Sequence, residues 1–201
     1  FTGNAEIKAG ETTVTGNYSI TTTPGKLKIT ASAIEGKIEL TTADADKVYD
    51  GQPLEAAEAT ATDVNGGDVK VEYSLDGENW TEDRTEITAT DVTDQMVHVR
   101  ASGANYSNYV EGTQKLAITP RPVHVTGEGW TEEQPYTGTA YTTTQYTTES
   151  FNETERSGLV AGHELSGLSY SLSGTDADEY TGTFTGNAEI KAGETTVTGN
   201  Y

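Results

Sequence analysis

Short runs of alternating apolar and polar residues recur along the chain: Lys26-Leu27-Lys28-Ile29-Thr30, Val69-Lys70-Val71-Glu72-Tyr73, Val97-His98-Val99-Arg100-Ala101, Leu116-Ala117-Ile118 and Val123-His124-Val125. A period of two puts every second side chain on one face, so each run predicts a half-buried β-strand. Turn formers separate the runs. Asp76-Gly77 and Asn65-Gly66-Gly67 supply the positive backbone angles that tight hairpins need, and Pro24-Gly25 marks another reversal. Threonine is the commonest residue; its branched Cβ favours extended backbone and its hydroxyl keeps an exposed sheet face wet. Only residues 53–62 are good helix formers, and they lack a helical apolar stripe, so they predict strand or loop. The expected fold is all-β, with Val69, Val71, Tyr73, Val97, Val99, Leu116 and Ile118 in one core and Trp80 at its edge.

The pattern also repeats on a larger scale. Residues 1–18 recur letter for letter as residues 184–201. Shared folding constraints do not preserve surface positions over such a length, so the identity implies a recently copied unit. The 201 residues read as one 183-residue period plus an 18-residue overlap from a longer tandem array. Inside the period lies an older repeat. Asn17-Tyr18-Ser19 followed by Lys26-Leu27-Lys28-Ile29-Thr30 matches Asn105-Tyr106-Ser107 followed by Lys115-Leu116-Ala117-Ile118-Thr119. Val48-Tyr49-Asp50-Gly51 is echoed by Pro135-Tyr136-Thr137-Gly138. The period therefore divides into a module over 37–120 and a second beginning at Arg121, with 1–36 carrying the end of a preceding second module.

Three structural expectations follow. The modules should meet at the stiff Pro120-Arg121-Pro122 connection, with few contacts between them and their long axes in line. Residues 1–18 and 184–201 should share a local conformation, with the N-terminal copy lacking its proper partners. Residues 19–30, the closing strands of the second module, should lie unpaired with Leu27 and Ile29 exposed. They would then be free to enter the second module of another chain, head to tail, or the gap would be filled by the next period.

Composition narrows the classes. The chain has no cysteine, which excludes disulfides and thiolate metal sites. Hydrophobic residues make up 33%, enough for small sandwich-like cores. The net charge of −20 is uneven: three acids and three bases in 1–36, 17 against 6 in 37–120, and 12 against 3 in 121–201. Nucleic acid and anionic membranes are poor partners for such a surface. No apolar run approaches the roughly 20 residues that span a bilayer.

Candidate chemistry is sparse. No nucleophile elbow, zinc-protease helix, phosphate loop or dinucleotide fingerprint is present, and His98, His124 and His163 form no set, so no enzyme is expected and no cofactor. Asp44, Asp46 and Asp50, and Asp176, Asp178 and Glu179, are candidate calcium ligands, because hard carboxylate oxygens close together near a module end suit that ion. Neither group matches an EF-hand loop, and among 32 acids a solvated acidic loop is the simpler explanation. Tyr141 and Tyr146, within the irregular stretch 136–156, are candidate stacking platforms for host or matrix glycans; the competing reading makes them core residues of an irregular strand pair.

Lys47-Val48-Tyr49-Asp50-Gly51-Gln52-Pro53-Leu54 resembles the K-x-YDG-x-x-L opening of YDG repeats, and Tyr73-Ser74-Leu75-Asp76-Gly77-Glu78-Asn79-Trp80 resembles the hairpin of bacterial immunoglobulin-like surface repeats. Gly158-Leu159-Val160-Ala161-Gly162-His163 and the segment from Asn17-Tyr18-Ser19-Ile20 to Pro24-Gly25-Lys26-Leu27-Lys28-Ile29 are similar to bacterial glycine-rich MBG repeats. The second module departs from the YDG pattern by opening Gln134-Pro135-Tyr136-Thr137-Gly138. The resemblance implies two tandem immunoglobulin-like β-sandwich modules per period, with β-grasp-like modules as the alternative. It further implies an extracellular stalk at a bacterial cell surface or wall, acting as spacer for an adhesin.

Overall fold

The computed structural model describes residues 2–201 as sixteen β-strands and three short 3-10 turns, with no α-helix among the described residues. Among the described residues no helix is long and apolar enough to cross a membrane. The fold is all-β, as the alternating runs predict.

At the N-terminus β1 (Lys8–Ala9) and β2 (Thr12–Thr13) form a small antiparallel ladder. A first group follows: β3 (Ile38–Thr41), β4 (Ala45–Val48), β5 (Leu54–Glu55), β6 (Thr60–Asp63), β7 (Val69–Ser74), β8 (Thr88–Ala89), β9 (Thr93–Gly103) and β10 (Val110–Thr119). The second group holds β11 (Val125–Gly127), β12 (Tyr141–Thr143), β13 (Tyr146–Thr148), β14 (His163–Gly174), β15 (Thr183–Ala192) and β16 (Thr195–Thr196). Among the described residues every ladder stays within one group.

The first group is built on the sheet β4-β10-β9-β7. β10 is its inner strand, antiparallel to β9 from Val110↔Ala101 to Ile118↔Thr93 and parallel to β4 from Leu116↔Ala45 to Thr119↔Val48. Two short pairs, β5–β8 and β3–β6, supply the rest of the packing. The long strand β9 turns Val97, Val99 and Ala101 to one face at period two, and these meet different partners along its length. Val97 and Val99 pack with Ala56, Ala59, Tyr73, Ile87 and Leu116, whereas Ala101 packs with Ile34 and Ile38. The expected single core is therefore two clusters, with Val69 in the second and Leu40 and Val71 touching both. Ile118 is buried. Trp80 is half-buried, its ring covered by the Arg100 guanidinium at 4.1 Å.

The two copies of the repeated segment share their local geometry. In each, a threonine hydroxyl accepts an isoleucine N–H at 2.8 Å, Thr15 from Ile7 and Thr198 from Ile190, and a 3-10 turn follows, Thr15–Asn17 and Thr198–Asn200. Their surroundings differ. Ile190 and Asn200 are buried because β15 pairs with the long strand β14, whereas Asn17 and Tyr18 are exposed. Phe1 lies outside the described residues. Residues 19–30 form no ladder at all. The chain joins the first group at Ser32, which bridges to Tyr106, and at Ile34, which is buried with Ile38 and whose N–H donates to Asn108 Oδ1 at 2.9 Å.

The second group is thinner. Its central ladder is β14–β15, with β12 outside β14 and the two-residue β16 outside β15. Tyr170 of β14, Phe184 of β15 and Tyr146 of β13 make a chain of aromatic contacts at 4.8 and 5.8 Å between ring centroids. Gly127 of β11 lies so close to the Tyr170 ring that a Cβ there would run into it. Gly127→Ala should cost about 1–3 kcal/mol through overpacking. Thermal unfolding measures it, and a melting temperature equal to that of the parent chain would contradict this packing.

Candidate functional site

The two groups are joined by a buried arginine. Arg121, flanked by prolines, is almost fully enclosed and no carboxylate binds it. Its Nε donates to the carbonyls of Ser157 and Gly158 (3.1 and 3.0 Å), Nη2 to those of Asn152 and Ser157 (both 2.8 Å), and Nη1 to the carbonyl of Tyr49 in the first group (3.2 Å). The guanidinium also sits 4.0 Å from the centre of the Phe151 ring. Burying a charge costs several kcal/mol unless its donors are satisfied, and here the rigid donor fork of arginine meets a ready set of carbonyls.

Asn200 completes the connection. Its backbone carbonyl accepts the Arg121 N–H at 3.0 Å, its Oδ1 accepts the Val92 N–H at 2.8 Å, and its Nδ2 donates to Asp91 at 2.8 Å. Beside it, Tyr49, His163 and Tyr201 pack edge to face or tilted, with Tyr201 and His163 Nδ1 sharing a hydrogen bond of 2.7 Å. Burial pushes the Tyr49 and Tyr201 hydroxyls above their ordinary range and His163 below its own. The junction is thus a small set of contacts, as expected, but they centre on a buried, hydrogen-bonded arginine that was not foreseen. Its stiffness comes from a side chain that reaches back into both groups, in addition to the prolines.

At the other end of the second group is a cleft of about 580 Å³. Residues 129–136 form one wall, Leu172 and residues 174–180 line it from the other side, and Tyr141 lies between. Trp130 meets Tyr141 edge to face at 5.7 Å, and Tyr141 donates to the Pro135 carbonyl at 3.0 Å. On the side of β15 away from β14, β16 pairs only with Lys191 and Ala192, and residues 183–188 are exposed.

The candidate residues fall unevenly on this geometry. Tyr141 lines the cleft, while Tyr146 faces Phe184 in the aromatic packing, which is the core role weighed against the glycan one. Asp176, Asp178 and Glu179 line the cleft; the Asp178 carboxylate accepts the Glu179 N–H at 2.8 Å. Asp44 accepts the Lys115 N–H at 2.7 Å, and Asp46 lies in β4 opposite Ala117. Burial pushes the Asp50 carboxyl up, but the Lys47 ammonium at 2.5 Å and the Gln52 N–H outweigh it and hold the group below its ordinary range. Among the described residues no three histidine or carboxylate side chains converge on a metal position. Asn200, Trp130 and Tyr180 went unmarked in the sequence, and Arg121 was marked only as part of the proline connection; one signal for its role was the scarcity of bases in 121–201, where three face twelve acids.

Comparison with known protein families, with curated proteins and with solved structures finds no match.

Two outcomes test the junction. Arg121→Lys keeps the charge but cannot reach the same set of carbonyls, and should cost at least about 2 kcal/mol by the worth of charged hydrogen bonds, with Arg121→Ala costing more; chemical denaturation measures both. Because His163 is held below its ordinary range, its contribution is complete above the unfolded value of about 6.5 and falls as pH drops through the folded one. His163→Gln should remove that part of the pH slope of stability.

Proposed function

We propose that the chain is a spacer segment of a tandem-repeat stalk or extracellular fibre on a bacterial surface, its two strand groups acting as immunoglobulin-like β-sandwich modules of the YDG and MBG kind. The observation that carries this reading is the Arg121 junction. A connection between two groups that only had to be tethered needs no buried charge. One that transmits orientation along a repeat does, because the five donated hydrogen bonds hold residues 152–158 and Tyr49 in one arrangement. The copied segment supports the same reading, since a repeat with identical ends is suited to indefinite extension. The acidic surface would keep neighbouring stalks apart.

The absence of cysteine makes the test direct. Spin labels introduced at the exposed positions Val64 and Glu155 report the distance between the groups. A single narrow distribution is expected, broadened by Arg121→Ala. A broad distribution in the parent chain would contradict a spacer that transmits orientation.

A second reading is a glycan-binding adhesin module, favoured by the Trp130–Tyr141 pair and the exposed Tyr136 at the cleft. On a glycan array the spacer is silent, and the adhesin module gives signal that Tyr141→Ala removes.

A further inference from the structure

We propose that the cleft in the second group binds oligosaccharides of unacetylated hexosamine, sugars whose free amino groups are cationic. The inference rests on the glycan-binding reading of that cleft and names the class of sugar it takes.

The cleft has a built frame. β12 pairs with β14 beside it, with Tyr141 opposite Gly174 and Thr143 opposite Leu172. One wall, residues 129–136, is held at both ends. At its start the Glu128 N–H donates to the Gln145 carbonyl at 2.9 Å, continuing the β11–β13 ladder, and Gly129 lies against Leu172. At its end the Pro135 carbonyl accepts the Tyr141 hydroxyl at 3.0 Å. The other wall is a closed turn. The Tyr180 hydroxyl accepts the Asp176 N–H at 3.2 Å, and the Tyr180 ring sits so close to Gly174 that no Cβ would fit between them. The enclosed volume of about 580 Å³ suits a small ligand, and no residue after Tyr180 lines it.

Aromatic rings left in water mark this cleft as a site. Within 121–201 the exposed large hydrophobic side chains are Trp130, Tyr136, Phe151, Tyr180 and Phe184, and three of these five, Trp130, Tyr136 and Tyr180, line the one cleft. Exposed apolar surface is costly, and a cluster of it inside a concave frame is relieved when a ligand covers it. The C–H face of a pyranose ring is such a cover, because it stacks on an aromatic ring while the sugar hydroxyls stay free to hydrogen-bond. Thr131 and Thr175, also in the lining, carry hydroxyls that both donate and accept.

Charge then selects the sugar. Glu132 and Glu133 come from one wall and Asp176, Asp178 and Glu179 from the other, and the lining holds no lysine, arginine or histidine. The bases of 121–201 are engaged elsewhere: Arg121 with carbonyls at the junction, Lys191 with Glu189 at 3.5 Å, and Arg156 within the turn that Asn152 and Ser157 close. A sulfated or uronate-bearing glycan meets repulsion in such a cleft, and a neutral one leaves the carboxylates to water. A free hexosamine ammonium pairs with the carboxylates while its ring stacks, and it gains further from lying over the aromatic faces.

Isothermal titration calorimetry of the full chain with four ligands tests the proposal. These are a glucosamine tetramer, its fully N-acetylated counterpart, a sulfated uronate-containing tetramer, and spermidine, which carries charge without a ring. The glucosamine tetramer should bind saturably, about tenfold more tightly than either the N-acetylated tetramer or spermidine, and less tightly as salt rises. The sulfated tetramer should not bind. Glu132→Gln combined with Asp176→Asn should weaken the amino sugar about tenfold and leave the N-acetylated one unchanged, whereas Tyr136→Ala should weaken both. All three positions are exposed, so circular dichroism and melting temperature should keep their parent values. Equal binding of the free and acetylated tetramers, spermidine binding as tightly as the amino sugar, or no binding of the amino sugar would each overturn the proposal. If a neutral or anionic glycan binds instead and Tyr141→Ala removes it, the glycan-binding reading stands and this inference alone falls. Silence of every saccharide removes both.

Discussion

A β-sheet is complete only when the backbone groups of each inner strand find partners on both sides, and in the first group that requirement falls above all on one strand. In the first group β10 meets it, paired along almost its whole length with β9 and at its end with β4. With it come Gln114, Leu116 and Ile118, all buried, so the strand supplies core as well as ladder. The second group is thinner: its ladder β14–β15 meets β16 only at Lys191 and Ala192, and residues 129–136 wall a cleft against Leu172 and residues 174–180. Apart from Tyr170 and Ile190, that group has few buried apolar side chains among the described residues.

The junction works by a different economy of forces. Arg121 is an expensive residue to bury, and what offsets the cost is geometric: a planar fork set against carbonyls from a loop of the second group and from Tyr49 of the first. Asn200 shows how context alone decides a residue's part. In the C-terminal copy it is buried and hydrogen-bonded to Asp91 and Val92; as Asn17 in the N-terminal copy, with an identical local turn, it is exposed. Local sequence dictates the 3-10 turn, and neighbours determine whether the turn holds anything together.

Much of this was legible in advance, for physical reasons. Alternation at period two is a direct image of a half-buried strand, so β7, β9 and β10 could be read from Val69–Tyr73, Val97–Ala101 and Leu116–Ile118. The alternation Lys26–Thr30 predicted a half-buried strand as well, but the structure leaves that run outside any ladder, with Leu27 and Ile29 exposed. The split core was not legible, because which short pair covers which end of β9 depends on loop paths and not on periodicity. The prolines marked the junction, but not the burial of Arg121 between them, because its acceptors at 49, 152, 157 and 158 are backbone carbonyls that leave no mark in sequence. Trp130 and Tyr180 escaped because neither sits in an alternating run; only the fold brings them to one cleft.

Backbone amide hydrogen exchange, followed residue by residue, tests the central claim that β10 and the Arg121 junction hold this chain together. The account predicts slow exchange in β9 and β10 and at the Arg121 and Val92 amides, which donate to Asn200, and fast exchange in residues 19–30, which form no ladder. Fast exchange in β9 and β10, or protection of residues 19–30, would contradict it.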